Sequence, residues 1–127
     1  MTATATITTT PTPWTALNIA LRARRPVLVN YHGHQRLLCP HALGWKAGRP
    51  MMLGYQTGGH TTTGSLDPDP TRRWRCLYID EINDVIPADH ASRWVTADNY
   101  NPRQPIPAGA IDELAIAIAS HRGPIQP

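Results

Sequence analysis

Apolar positions along the chain take a helical spacing first, then fall into short alternating patches, then return to a helical spacing. Trp14, Leu17 and Leu21 recur at three- and four-residue intervals, the period of a helix with one buried stripe. This spacing predicts a helix from Trp14 to about Arg25. Thr12 is placed to cap it and Pro13 suits its first turn. Arg22, Arg24 and Arg25 complement its C-terminal dipole, and Pro26 ends it. Five short strands are predicted next, over Val27–Tyr31, His34–His41, Met51–Gln56, Arg73–Ile79 and Ile82–Ile86. Gly33, Ala47-Gly48-Arg49 and Asp80-Glu81 mark turns, and Pro40 marks an edge or a bend, because it has no N–H to give a ladder. Thr57 to Thr71 is polar, rich in Gly, Thr, Asp and Pro, and without a period of either kind. It is predicted to be a mobile loop. Ile111, Leu114, Ala115 and Ile118 fall at i, i+3, i+4 and i+7, predicting a second helix from about Ala108 to Arg122, stopped by Gly123-Pro124.

A length of 127 residues is that of one domain. Residues 1–11 are Thr/Ala repeats with almost nothing to bury and are expected to form a disordered tail. Residues 12–86 hold the first helix and the strands. Residues 87–127, with Pro87, Pro102, Pro105 and Pro107 and isolated anchors at Trp94, Val95 and Tyr100, are expected to wrap the same domain and end in the second helix. Five consecutive strands with tight turns and no βαβ alternation predict a mostly β fold with flanking helices, built on a small antiparallel barrel. No stretch approaches the roughly 20 apolar residues of a membrane span, and the first residues lack the features of a secretory signal. The expected location is cytoplasmic. Cys39 and Cys76 then read as buried thiols rather than a disulfide. The formal charge is +3, and of 12 basic residues only Lys46 is a lysine. Arginine suits bidentate contact with phosphate or carboxylate.

Taken in order, these residues resemble the WYL domain family, whose core is a small SH3/Sm-like barrel. The likeness runs from Ala20-Leu21-Arg22 through Arg25-Pro26-Val27-Leu28-Val29-Asn30-Tyr31. It continues through His34-Gln35-Arg36-Leu37-Leu38-Cys39-Pro40-His41-Ala42-Leu43-Gly44 and Met51-Met52-Leu53-Gly54-Tyr55. It ends at Arg75-Cys76-Leu77-Tyr78-Ile79-Asp80-Glu81-Ile82-Asn83-Asp84-Val85. Pro50-Met51-Met52 stands where the name-giving triplet falls, and Glu81 stands in place of an arginine. The resemblance implies a bacterial, ligand-sensing regulatory module of the kind used in transcription regulation. It also implies a basic pocket for nucleic acid or nucleotide-like ligands, carried here by Tyr31, Arg36, His41 and Arg75.

Tyr31 and Arg36 flank one predicted hairpin, where a ring beside a guanidinium can stack a base while the cation meets phosphate. The plain alternative is a solvated hairpin. In Arg72-Arg73-Trp74-Arg75, Trp74 is expected to face inward, with Arg73 and Arg75 on the other side extending a phosphate-contacting surface. His32 and His34 share a face only if the strand runs through Gly33. A zinc site with Cys39, His41, His60 or Cys76 is therefore not expected, nor is a cofactor. No serine has an oriented base and no phosphate loop follows Gly58-Gly59, so no catalytic residue is assigned and the protein is expected not to be an enzyme. Two function classes follow. One is a module binding an anionic, nucleic-acid-like or nucleotide ligand through Tyr31, Arg36, His41, Arg75 and Arg73. The other is a protein–protein or homo-oligomer module, for which Ile116, Trp94 and Tyr100 are the clues.

Overall fold

The computed structural model describes residues 11–59, 65–89, 91–101 and 111–118. Helix α1 (Pro13–Ala23) begins where Thr12 Oγ1 accepts the Thr15 N–H at 3.2 Å and Pro13 takes the first helical position. It ends at Arg24, whose φ of 51° turns the chain out of the helix. Leu17 and Leu21 are fully buried, while Trp14 stacks on Trp45 with ring centroids 5.2 Å apart.

Strands β1 (Val27–Tyr31), β2 (His34–Lys46), β3 (Arg49–Gly59), β4 (Trp74–Tyr78) and β5 (Ile82–Pro87) follow, and β6 (Glu113–Ala117) closes the described chain. All pairings are antiparallel, in the order β4-β3-β2-β1-β5, with β6 beside the far half of β2. The protein is thus mostly β, with one helix and an open six-stranded sheet. The β1–β2 hairpin turns at His32-Gly33, both at positive φ. That is the two-residue turn whose twist matches the strands, and Gly33 takes its position without strain.

The helix expected over 108–122 is corrected. Residues 113–117 are the strand β6, held by pairing of Leu43 with Ile116 and Ala42 with Ala117. Residues 111, 112 and 118 are not helical either, while 108–110 and 119–122 lie outside the described residues, as does the tail over 1–10. Thr57 to Thr71 is not all loop: β3 extends to Gly59, and Pro70–Arg72 forms a short 3-10 turn behind the Asp69 cap. Among the described residues no helix is long and apolar enough to cross a membrane.

Directly paired residues share a face of a sheet, and the register sorts the core into two layers. One face carries Val27, Val29, Tyr31, Arg36, Leu38, Met52, Gly54, Arg75 and Leu77, and α1 lies over part of it. The other carries Cys39, Tyr55 and Trp74, and the segment 94–100 covers it. A bulge between Pro40 and Ala42 inserts His41 as an extra residue, which bends β2 between its two sets of partners.

Candidate anion site on the inner face

Arg36 lies on β2 opposite Val29 of β1, which puts its side chain on the same face as Tyr31. Its guanidinium carbon stands 5.3 Å from the Tyr31 ring centroid. The residue is only 4% exposed, and among the described residues it joins no ion pair and its Nε has no hydrogen-bond partner. Burial lowers the Arg36 pKa, and the nearby Arg75 charge lowers it further. The group nevertheless stays protonated, as arginine does in proteins. A buried cation without a counter-ion is costly, because it has given up water and received no carboxylate in return.

Arg75 enters from β4. It pairs with Gly54 of β3, which pairs with Pro40 of β2, two residues from Leu38 on the Arg36 face. Gly54 contributes no side chain between the two arginines. The Arg75 Nη1 donates to the carbonyls of Arg72 and Trp74, at 2.9 and 2.8 Å, which fixes the guanidinium without neutralising it. Burial also lowers its pKa, a shift partly offset by the attraction of Asp67.

Tyr31 is held at both ends. Its hydroxyl accepts the Tyr78 N–H at 3.2 Å, and its ring stacks on His32 with centroids 3.9 Å apart. Desolvation raises the Tyr31 pKa, and the Glu81 carboxylate beside its hydroxyl raises it further, so the phenol is neutral. Tyr31, Arg36 and Arg75 therefore form one group.

His41 is placed elsewhere. It is fully buried on the opposite face, stacked on Trp94 at 4.7 Å and edge-on to Trp74 and Tyr100. The Cys39 carbonyl can only accept, so Nδ1 carries the proton that it receives at 2.7 Å. Nε2 is left to accept from the Thr96 hydroxyl at 2.9 Å. The residue organises the wrapped segment and does not reach Arg36. The aromatic anchors Trp94 and Tyr100, read as clues to a partner, are occupied here: Tyr100 is buried and its hydroxyl donates to the Ile118 carbonyl at 2.7 Å.

Arg73 is turned to the loop. Its Nε donates to the Asp67 carbonyl at 2.8 Å and its Nη2 to that of Pro68 at 3.3 Å. Trp74 faces inward as expected, with its Nε1 donating to Asn99 Oδ1. Both cysteines are free, and burial pushes their pKa values up to about 11 for Cys39 and about 12 for Cys76. Among the described residues no group of three or more His, Cys, Asp or Glu side chains could hold a metal.

A charged cluster beside Tyr31 has no counterpart in the sequence reading. His32 Nε2 meets Glu81 at 2.5 Å, Arg49 binds both Asp80 and Glu81, and the Arg49 guanidinium covers the Tyr78 ring at 3.7 Å. Arg49 and His32 hold the Glu81 carboxyl below the usual range. The only local signal was the adjacency of Asp80 and Glu81 at a turn. The acids of this cluster are consumed by Arg49 and His32, and Arg36 and Arg75 are left without them.

The chain matches no protein-family model and no curated protein.

Proposed function

We propose that the protein is a regulatory ligand-binding module whose inner face takes the anionic group of a nucleotide or a nucleic-acid-like ligand. The observation that carries the proposal is Arg36, a guanidinium almost wholly removed from water with no carboxylate among the described residues to receive it. A phosphate entering between Arg36 and Arg75 would supply the missing counter-charge through charge-assisted hydrogen bonds. The Tyr31 ring, stacked on His32 and 5.3 Å from the Arg36 guanidinium carbon, holds that cation in place beside the ligand.

The WYL-like, SH3/Sm-like barrel is the architecture proposed for this site. Its support is the strand order β4-β3-β2-β1-β5 with a three-residue 3-10 turn, Ile79–Glu81, joining the two edge strands. The Tyr31–Tyr78 hydrogen bond further links β1 to the end of β4. Bacterial origin, a cytoplasmic location and a part in transcription regulation belong to the same proposal and rest on the resemblance.

The test is a salt-titrated binding series with adenosine monophosphate, single-stranded DNA and single-stranded RNA. Removing a charge-assisted contact of about 1.5–3 kcal/mol predicts a loss of roughly ten- to a hundredfold on Arg36→Ala. Arg75→Ala should weaken binding likewise and flatten the salt dependence. Binding that is unchanged in both variants, or absent for all three probes at low salt, refutes the site.

A further inference from the structure

The outer edge of β5 is paired with nothing among the described residues, since the sheet order ends there. Unpaired edges are templates for another strand. Ala88 N–H donates to the Pro26 carbonyl at 3.0 Å, which fixes the alternation of the β1–β5 ladder at that end. Ile86 thus turns its backbone groups toward β1, and Val85 and Pro87 turn theirs outward. Pro87 brings only a carbonyl, so this edge offers a short ladder and no more.

Alongside the edge runs α1, and between them lies a groove of about 230 Å³. It is lined by Ala16, Ile19, Ala20, Val27 and Val85, with Arg25 at the Pro87 end. At the other end a second cleft joins Asp84 to Pro13. Ile19 is 59% exposed and Ile86 51% exposed, the two most exposed large hydrophobic residues of the described chain. They stand on the two sides of this same edge.

The charges decide the occupant. Arg25 marks the basic end of the groove and Asp84 the acidic end, and neither is engaged in an ion pair among the described residues. A two-fold axis across the edge would place the acidic end of each copy against the basic end of the other, as an isologous interface requires. We propose that the chain forms a two-fold dimer by antiparallel pairing of β5 with the partner's β5, with the two α1 helices side by side over the joined sheet. A register centred on Ile86 sets that residue against its own copy. It also lets the Val85 N–H donate to the partner's Pro87 carbonyl, the one group that Pro87 can offer. Ile19 of each helix then meets the apolar groove of the neighbour, where its exposure in the single chain finds a use.

Sedimentation velocity over a wide concentration range, on the full chain, tests the proposal. The wild type should show a reversible monomer–dimer equilibrium. Ile19→Glu is a change at an exposed helical position and should weaken the dimer at least tenfold, the effect of about 1.4 kcal/mol. Asp84→Arg and Arg25→Glu should each weaken it, and the double variant should recover affinity toward that of the wild type, because the two ends are merely exchanged. Val95→Glu, exposed but distant from the edge, should leave the dimer unchanged. A wild type that is monomeric at every concentration overturns the proposal. So does a dimer indifferent to Ile19→Glu, or a double variant no stronger than the single ones. The outcome is independent of the anion site, since none of these residues belongs to the inner-face group.

Discussion

Replacing Arg36 by methionine should make the empty protein more stable while removing its ligand. Methionine keeps most of the length and apolar volume of the arginine stem and discards the guanidinium. The gain comes from relieving a buried donor without a partner, about 1–3 kcal/mol, together with the repulsion from Arg75 that already lowers the Arg36 pKa. Against it stands the loss of the contact with the Tyr31 ring at 5.3 Å, about 0.5–2 kcal/mol for a cation over an aromatic face. The balance favours Arg36→Met by about 1 kcal/mol, a rise in Tm of about 4 °C for a chain of this size. Adenosine monophosphate should reverse the ranking. At a hundred times its Kd a ligand stabilises the wild type by about 2.7 kcal/mol, and the variant should gain nothing. Urea denaturation of both proteins, with and without the nucleotide, reads all four values, and equal m-values would show that only stability has changed. The reasoning fails if Arg36→Met is the less stable protein without ligand by more than about 1 kcal/mol, because the guanidinium would then be a structural keystone. It fails equally if the nucleotide stabilises both proteins alike.

Further consequences follow from neighbouring features. A Cβ on Gly44 would meet the Glu113 carbonyl and lie 2.7 Å from Ile111 Cγ2, so Gly44→Ala should lift β6 away and abolish hydrogen-exchange protection of residues 114–117; retained protection would show that β6 docks otherwise. With a pKa of about 11 and no exposed surface, Cys39 should react with a thiol reagent at pH 8 only as fast as the protein unfolds, and rapid labelling of both cysteines in the native state would contradict this. Glu81 has a folded pKa below its unfolded value, so its stabilisation is present above the unfolded carboxylate range and is lost as pH falls through the folded pKa. Glu81→Gln should flatten this acid limb of the stability curve, and an unaltered limb would place the acid sensitivity elsewhere. Trp74 touches His41, Tyr55 and Tyr100, so Trp74→Ala should cost about 3–5 kcal/mol and raise proteolysis within residues 91–101.

Much of this architecture is local and could be read from the chain. Thr12-Pro13 opens α1 where a cap followed by proline must, and β-branched and aromatic composition for β1, alternation for β4 and the Asp80-Glu81 turn for β5 place these strands to within a residue. The failures share one physical origin, which is long-range pairing. Ile111, Leu114, Ala115 and Ile118 satisfy a helical period, but Leu114, Ile116 and Ile118 equally satisfy a strand's. Pairing with Leu43 and Ala42 decides between them, and nothing near residue 114 announces it. His41 is grouped with the arginines only through the family resemblance, and the bulge that inserts it after Pro40 and turns it to the opposite face has no local signal. Arg73 and Arg75 look alike in sequence, and only the carbonyls that each one meets, those of Asp67 and Pro68 for Arg73 and those of Arg72 and Trp74 for Arg75, separate a loop clamp from an inner-face cation. The meeting of Arg36 and Arg75 depends on the pairing of β2 with β3 and of β3 with β4, which no local pattern announces.

The length of β2 sets a timetable for the nascent chain. Its first half finds β1 and its whole length finds β3 almost as soon as these residues leave the ribosome. The edge at Ala42–Trp45 must wait until Glu113–Ala117 has been made. During that interval a twisted, apolar strand margin faces solvent with its amides unclaimed, a state in which non-local sheets fold slowly and stick to one another. Cells making this protein quickly would therefore meet their greatest loss to aggregation in chains that stop just short of the last strand.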